Sequence, residues 1–427
     1  MTTIESTANS PQPPGRRLAP LFHAVTSATF FAASSAPTPL YRIYQQVFAF
    51  SPVLITLIFA VYAFALLISL LIVGSISDHL GRRPVIFTSL LLNMVAMALF
   101  LTADGPNWLI AARIVQGFAT GAAAASIGAA LVDLDPAKGS VTNSIAPLIG
   151  MAVGALGTSA LVQFAPAPTF LVYAVVLILL VVQATVIWAT PETTRRRAGL
   201  IASLKPEVAI PPQVRRTLLA LTPINVAVWA LGGFYLSLVP SLISATTGST
   251  APLVGGSVVA ALTISGAASV FLLRKKPAVI TLTFGISTMT LGILAVVAGV
   301  HLAEVPILIA GTLIAGAGFG ANFLGAVHSI MPLAKPDERA GLLSAFYIQS
   351  YLAFSLPAIL AGFLSKAIGF TATTDIYAAA ILVLVGSGVM ALRAGREKVA
   401  VSAGAYNCGL SPNSAKPLPS MAKGTDV

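Results

Sequence analysis

The chain has 427 residues, of which 57% are hydrophobic and 9% charged, and its formal net charge at pH 7 is +11. A soluble core does not need so apolar a composition, which is typical of a protein that crosses a membrane many times. The positive charge does not indicate nucleic-acid binding, because the basic residues lie in short loops between apolar runs, which no nucleic-acid module requires.

Apolar runs follow one another along the chain, each long enough to span about 30 Å of hydrocarbon as a helix of roughly 20 residues. A β-barrel is excluded, because the runs are about twice as long as a tilted barrel strand and lack sustained alternation. The sequence therefore predicts an all-α polytopic membrane protein with twelve transmembrane helices. These helices are predicted to begin near Arg17, Ser51, Pro84, Asn107, Val141, Pro168, Thr217, Pro252, Pro277, Val305, Gly341 and Asp375.

The two chain ends are too polar to cross a membrane. Residues 1–17 and 397–427 are predicted to be disordered tails, and the first lacks the apolar core and cleavage site of a signal peptide. If the N-terminus is cytoplasmic, every Lys and Arg except Arg42, Arg113 and Lys366 lies on the cytoplasmic side. This bias is the positive-inside rule acting on an even number of crossings, so both ends are predicted to be cytoplasmic.

The chain repeats itself at a spacing of about 200 residues. The segment PNWLIAARIVQGF from Pro106 aligns with PILIAGTLIAGAGF from Pro306, and RRPV aligns with KKPAV. Residues 191–216 are basic, contain prolines and are too polar to cross, so they are predicted to form a cytoplasmic linker. The predicted six-helix halves are residues 18–190 and 217–396. Paired halves of this kind hold the substrate of known transporters near the midplane between them.

The loop after the second predicted helix, GSISDHLGRRPV, interrupts an apolar region with charged residues. It closely resembles the loop signature of the major facilitator superfamily. Gly74 would allow close helix approach and Gly81 a tight turn, while Asp78 needs a helix N-terminus or a cation as its partner. In the family this loop is a gate that favours the outward-facing state, whereas from the residues alone the basic pair could serve only to set topology. The matching residues are Gly74, Asp78, Gly81, Arg82 and Arg83.

The fourth predicted helix contains RIVQG, which resembles the superfamily's Arg-x-x-Gln-Gly pattern through Arg113, Gln116 and Gly117. An arginine at that depth costs at least about 2.5 kcal/mol unless it faces water or a partner. Because Leu313 occupies the equivalent place in the repeat, symmetry does not require Arg113. A functional role is favoured, and hydrogen bonding to helix carbonyls is the structural alternative. At the end of this helix, Asp133 is expected either to pair with Arg82 or Arg83 or to be an ordinary interfacial acid.

The resemblance implies that the first, fourth, seventh and tenth helices surround the substrate, and polar or aromatic residues concentrate in them and in the eleventh. Such a cavity without a fixed acid favours an amphipathic or aromatic small molecule, neutral or anionic. The candidate cavity residues are Ser34, Tyr41, Arg113, Asn225, Trp229, Tyr235, Asn322, His328, Tyr347 and Gln349.

Energy coupling is difficult to derive, because no Asp or Glu falls in the middle of a predicted helix. Arg113 and His328 are the candidate proton-coupling residues, and histidine titrates closest to physiological pH. The sequence contains no Gly-Lys-Ser/Thr nucleotide loop, so an ATP-driven pump is not indicated. No cofactor, metal site or catalytic group is predicted, and a proton gradient as energy source is what the resemblance implies.

The sequence thus favours a secondary transporter that resembles bacterial drug or metabolite exporters of the superfamily. The fifth predicted helix matches their third signature in part, through Gly150, Gly154 and Gly157. Proton-coupled efflux of drug-like or toxic compounds is expected. Proton-coupled uptake of a metabolite is the alternative, and a non-transporting receptor or scaffold of the same fold is a third possibility. An enzyme is not indicated, because no paired acids, metal cluster or nucleophile with its base lies within the predicted helices. The resemblance implies a monomer in the plasma (inner) membrane, whose partners are the lipid bilayer and a small-molecule substrate.

Overall fold

The computed structural model describes residues 14–194, 197–249 and 251–408, and these ranges contain helices and irregular segments but no strand. The all-α fold predicted from the sequence is confirmed. The predicted tail residues 1–13 and 409–427 lie outside the described residues, as do Arg195, Arg196 and Thr250.

The N-terminal half and the linker contain the first nine helices, and a short 3-10 turn, Ile187–Ala189, extends the eighth. The helices are α1 (Pro14–Ser35), α2 (Pro37–Phe48), α3 (Pro52–Val73), α4 (Ile76–Leu80), α5 (Arg82–Leu101), α6 (Pro106–Leu134), α7 (Pro136–Phe164), α8 (Pro168–Val186) and the linker helix α9 (Leu200–Ser203).

The C-terminal half repeats this order, and a 3-10 turn, Met331–Leu333, follows its fourth long helix. The helices are α10 (Pro212–Ser237), α11 (Val239–Thr247), α12 (Pro252–Leu273), α13 (Ala278–His301), α14 (Val305–Ile330), α15 (Arg339–Ile368) and α16 (Phe370–Cys408).

Eleven helices of the described chain are long and apolar enough to cross a membrane, namely α3, α5 to α8, α10 and α12 to α16. The twelfth predicted span corresponds to α1, which has 22 residues but a more polar composition. This helix packs against α6 and α7, and its polar residues Thr26 and Ser27 are buried. Because these side chains face protein rather than lipid, the position of α1 in the bundle supports the predicted span.

Most helix starts agree with the sequence, because prolines mark them and proline is favoured at the first helical position. The largest differences occur where a polar first turn precedes the apolar run. There, α7 begins at Pro136 rather than near Val141, and α10 begins at Pro212 rather than near Thr217. Likewise, α16 begins at Phe370 rather than near Asp375. Helix α16 also continues to Cys408, past residue 396 where we placed the end of the half. Hydropathy marks the part of a helix that can lie in lipid, whereas the hydrogen-bonded helix extends beyond it.

Each half has its own hydrophobic core, and the packing of α1 against α7 in the first half recurs as α10 against α15 in the second. The two halves meet mainly where α3 packs against α15 and α7 against α12. We call the membrane face at which α1 and α10 begin the inner face, following the predicted orientation, and the opposite one the outer face.

The first long helix of each half is broken at its outer end. Pro37 begins α2 directly after α1, and Pro240 lies at the start of α11 directly after α10. Proline has no backbone N–H, so a carbonyl oxygen four residues earlier loses its normal helical donor. The freed carbonyls belong to Ala33 in the first half and Leu236 in the second.

Candidate functional site

Arg113 is the largest fully buried side chain of the described residues. Its Nη1 donates to the Ser34 carbonyl and to Gln116 Oε1, each at 2.7 Å, and its Nε donates to the Tyr41 hydroxyl at 3.0 Å. Nη2 also donates to the Tyr41 hydroxyl. Four residues singled out in the sequence, Ser34, Tyr41, Arg113 and Gln116, therefore form one hydrogen-bonded group, which we call the Arg113 cluster.

The Arg113 cluster is built on the break between α1 and α2. Gln116 Nε2 donates to the Ala33 carbonyl at 2.9 Å, which is the acceptor that Pro37 leaves without a helical donor. Arg113 donates to the next carbonyl, at Ser34. Buried carbonyls must be paired, so these two side chains satisfy the broken end of α1. The structural alternative weighed for Arg113, hydrogen bonding to helix carbonyls, is present in the structure.

Gly117 brings α3 against α6 beside the cluster. A Cβ at this position would collide with the Tyr62 carbonyl oxygen and lie 2.9 Å from Ala65 Cβ. Only glycine permits this separation between the two helix backbones. As a result the Tyr62 ring lies next to the guanidinium, with Arg113 Cζ 5.0 Å from its centroid and 5.6 Å from that of Tyr41. Both contacts fall within the range of cation–π attraction.

Tyr62 was not predicted as a site residue, because it is one aromatic residue in an otherwise apolar helix. Its side chain is 5% exposed and its hydroxyl has no hydrogen-bond partner in the described chain. It packs with Tyr351 of the other half, and the Tyr351 ring lies 5.1 Å from that of Trp229. Phe354 lies 5.8 Å from Trp229 and 4.9 Å from Phe59. Together these five residues, Phe59, Tyr62, Trp229, Tyr351 and Phe354, form an aromatic cluster that joins the two halves.

Four predicted site residues of the C-terminal half divide into two groups. Asn225 and Trp229 lie one turn apart on α10 near the aromatic cluster, and Asn225 Nδ2 donates to Ser350 Oγ at 3.0 Å. Tyr235 instead bonds Thr312 Oγ1 at 3.0 Å and lines a small cavity between α10, α13 and α16. Asn322 packs against α13, with Nδ2 3.8 Å from the Met289 sulfur. Polar residues also hold membrane helices together, which is why polarity alone could not separate these groups.

The remaining predicted residues lie closer to the inner face. Tyr347 extends the aromatic cluster through Tyr351, with ring centroids 6.3 Å apart, and Gln349 is half-buried on the same helix. His328 is half-buried in the last turn of α14 and therefore lies at the inner end of its helix, not near Arg113. The two candidate proton-coupling residues are thus on different halves and at different depths.

The loop between α3 and α5 forms a network centred on Arg82, which is 8% exposed. Its Nη1 lies 2.6 Å from Asp78 Oδ1 and its Nε lies 3.2 Å from Asp133 Oδ2. Of the alternatives for Asp133, the structure has the pairing with Arg82. Gly81 has φ +103°, a conformation that L side chains rarely adopt, so the predicted turn is present. At Gly74 a Cβ would collide with the Leu70 carbonyl but make only ordinary contact with α6.

The N-terminus of α5 is occupied by Glu192, a linker residue that the sequence analysis did not single out. Its carboxylate accepts from the backbone N–H groups of Arg82 at 2.8 Å and Arg83 at 3.1 Å. The Arg83 guanidinium lies over the Trp188 ring, 5.3 Å from its centroid. A carboxylate at a helix N-terminus is favourable, and we expected Asp78 to need such a position. Asp78 pairs with Arg82 instead, and Glu192 occupies the N-terminus of α5. The only sequence signal was an acid within a basic linker.

Comparison with known proteins gives one matching family model and many solved structures of similar fold, among them two transporters. A family model described as Major Facilitator Superfamily matches residues 24–294. The human organic anion transporter MFSD10 (TETRAN) has a TM-score of 0.61 and 16% identity, and the match covers 88% of this chain and 100% of that chain. A mutant of the nucleoside transporter NupG has a TM-score of 0.67 and 12% identity, with coverages of 87% and 99%. At these identities the likeness shows the fold alone. Among curated proteins, no sequence matches significantly.

Proposed function

The chain belongs to the Major Facilitator Superfamily and is a membrane transporter, and on this premise we propose that it exports a small organic molecule by alternating access, driven by a proton gradient. In this mechanism the two halves rock against each other around a substrate held between them. We place the substrate at the aromatic cluster, because its residues join the two halves, and at the adjacent Arg113 cluster of the N-terminal half. Drug-like or toxic compounds are the proposed cargo, and the plasma membrane of a bacterium is the proposed location.

The observation that carries this proposal is a hydrogen bond between the halves at the outer face. Thr38 Oγ1 of α2 donates to the Leu236 carbonyl at 2.9 Å, and this carbonyl is the one that Pro240 frees in α10. At the inner face, the side chains of Asp78, Arg82 and Asp133 bond within the N-terminal half. A contact between the halves at the outer face, with the inner network confined to one half, supports a state closed to the outside, which is one of the two states of alternating access.

We favour export over uptake because α7 matches the exporter signature in part, and two of its glycines have a packing role. At Gly150 a Cβ would collide with the Ala28 carbonyl of α1, and at Gly154 with the Ala32 carbonyl. Two of the three glycines in the partial exporter signature therefore hold α7 directly against α1. Gly157 has nothing within 4 Å of its Cβ position and does not share this function.

The test uses proteoliposomes that hold the purified protein and a pH-sensitive dye. A proton gradient is imposed, and lipophilic drugs and organic acids are added singly, with protein-free liposomes as the control. Substrate-dependent proton flux is expected, and its sign separates antiport from symport. No flux with any compound would favour a non-transporting receptor or scaffold and contradict the proposal.

The direction of transport is tested in cells. Removal of the gene is expected to increase sensitivity to the compounds that cause proton flux. Loss of growth on one carbon source, with unchanged drug sensitivity, would instead establish uptake.

A further inference from the structure

We infer that the substrate is an aromatic carboxylate, held with its carboxylate at Arg113 and Tyr62 and its ring against the aromatic cluster. This inference rests on the proposed transport function and names the chemistry of its cargo. It follows from three neighbouring features. The buried guanidinium of Arg113 has no counter-charge, the Tyr62 hydroxyl beside it has a hydrogen to donate, and the aromatic rings next to Tyr62 come from both halves.

The charge of Arg113 is not neutralised within the described chain. The side chain is 0% exposed, and its acceptors are one carbonyl, one amide oxygen and one hydroxyl, all of them neutral. No carboxylate of the described residues forms an ion pair with it. A buried charge without a counter-charge is costly, and an anionic ligand would supply that counter-charge.

Arg113 and Tyr62 also have donors to spare. Arginine carries five N–H groups, and four of those of Arg113 are used, leaving one on Nη2. The Tyr62 hydroxyl is buried beside the side chains of Ser34 and Thr120 but forms no well-aligned hydrogen bond, and its ring lies beside the guanidinium. A carboxylate accepts several hydrogen bonds and bonds strongly to guanidinium, so it is the ligand group that satisfies both donors at once.

The aromatic part of the ligand is indicated by the rings next to Tyr62. The aromatic cluster continues from Tyr62 into the C-terminal half through Tyr351, Trp229 and Phe354. The Trp229 ring centroid lies 5.1 Å from that of Tyr351 and 5.8 Å from that of Phe354. Flat side chains of this kind pack well against a planar ring in offset or edge contacts. Trp229 Nε1 is a further unpartnered donor, and Asn225 Oδ1 an unpartnered acceptor, so polar ring substituents are compatible with the site. A lipophilic cation, by contrast, would face Arg113 with no carboxylate to balance it.

The experiment measures binding of three ligands with the same ring and different charge. Phenylacetate, phenylacetamide and phenethylamine are titrated calorimetrically at pH 7 into the purified full-length protein. Phenylacetate is expected to bind at least about tenfold more tightly than the amide, a difference of about 1.4 kcal/mol. Equal or tighter binding of the amide or the amine would overturn the inference, and so would no binding of phenylacetate at millimolar concentration.

Two variants locate the carboxylate. Arg113→Gln is expected to weaken phenylacetate binding at least about tenfold and to leave phenylacetamide nearly unchanged, because only the ion pair is lost. Tyr62→Phe keeps the ring, removes the hydroxyl, and should weaken phenylacetate several-fold. If Arg113→Gln does not fold, the inference is tested by the Tyr62→Phe variant and by the binding of the three ligands to the wild-type protein. Unchanged phenylacetate binding in Tyr62→Phe would overturn the assignment of Tyr62.

Proteoliposomes separate this inference from the proposed function. Proton-linked flux with phenethylamine but not phenylacetate would overturn the inference and leave transport established. Arg113-dependent phenylacetate binding without flux of any tested compound would sustain the binding inference and contradict transport.

Discussion

At the scale of single residues, the site depends on how closely backbones approach and on where a charge is buried. Gly117 is needed because the Tyr62 backbone occupies the space of a side chain, and Arg113 is placed by the freed carbonyls at the end of α1. One glycine and one arginine of the same motif thus have separate physical tasks, and each can be tested alone.

Gly117→Ala is expected to destabilise the protein by about 1–3 kcal/mol, because overpacking forces two backbones apart. The measurement is the midpoint of thermal unfolding in detergent. Gly157→Ala is the matched control, since a Cβ there meets nothing within 4 Å and alanine is the better helix former. An unfolding midpoint for Gly117→Ala equal to that of Gly157→Ala would contradict the packing argument.

At the scale of helices, the breaks and termini explain most of the polar contacts. Prolines free carbonyls at the outer ends of α1 and α10, and Glu192 occupies the N-terminus of α5. The partners come from elsewhere in the chain: Gln116 from α6, Thr38 from α2 and Glu192 from the linker. Two predictions concern these helix ends.

Glu192→Ala is expected to cost about 0.5–2 kcal/mol of stability, because the backbone N–H groups of Arg82 and Arg83 lose their acceptor. Glu192→Gln should retain part of the stability that Glu192→Ala loses, since its amide oxygen can still accept a hydrogen bond from these N–H groups. Glu207→Ala is the control, because Glu207 is an exposed linker residue with no hydrogen bond among the described contacts. Equal unfolding midpoints for Glu192→Ala and Glu207→Ala would argue against the cap.

Thr38→Val is expected to weaken the closure of the outer face. Loss of the hydroxyl leaves the Leu236 carbonyl without this donor, at a cost of about 1 kcal/mol, or roughly a fivefold shift toward the outward-open form. Distances between spin labels at positions 47 and 245, on a Cys408→Ser background, report the opening. Thr26→Val is the control, because Thr26 donates within its own helix, to Phe22. A distance distribution in Thr38→Val that matches the control would count against the outer contact.

At the scale of the whole molecule, two halves with separate cores meet along α3 with α15 and α7 with α12. The Arg82 network lies at the inner end of the N-terminal half, where the gating loop is expected to act, and it retains the contact with Asp133 when Asp78 is changed. Loss of the Asp78 contact alone should therefore affect the movement of the halves more than their folding. Asp78 is the part of this network that is most open to solvent.

Asp78→Asn is expected to reduce transport strongly while leaving folded protein in the membrane. The buried Arg82 guanidinium keeps Asp133 and Ser77 as partners, so the substitution does not leave it unpaired. Substrate-dependent flux and the unfolding midpoint are measured on the same preparation. Near-normal flux would exclude a gating role for Asp78.

The sequence predicted the features that have periodic or positional signals and missed those that arise from packing. Helix starts at Pro168, Pro252 and Val305 agree with the structure, and the recurrence of helix packing in the two halves agrees with the repeat. Tyr62 and Glu192 were missed, because nothing local distinguishes an aromatic residue in an apolar helix or an acid in a basic linker. The sequence listed Tyr235 among the cavity residues, whereas the structure places it between α10 and α14, away from the aromatic cluster. Polarity alone could not separate these locations, since polar side chains serve helix packing as well as ligand binding.

The outer contact between Thr38 and Leu236 uses a main-chain oxygen as its acceptor, and this sets which positions can change together. Any side chain at position 236 leaves the oxygen in place, so this hydrogen bond does not itself select the residue there, and Leu236 is retained by its packing with Phe59 and Val259 instead. Positions 38 and 240 are tied, because replacing Pro240 restores an N–H that competes for the same oxygen. Epistasis is therefore expected between two residues on opposite halves, whose substitutions would be non-additive although their side chains need not touch.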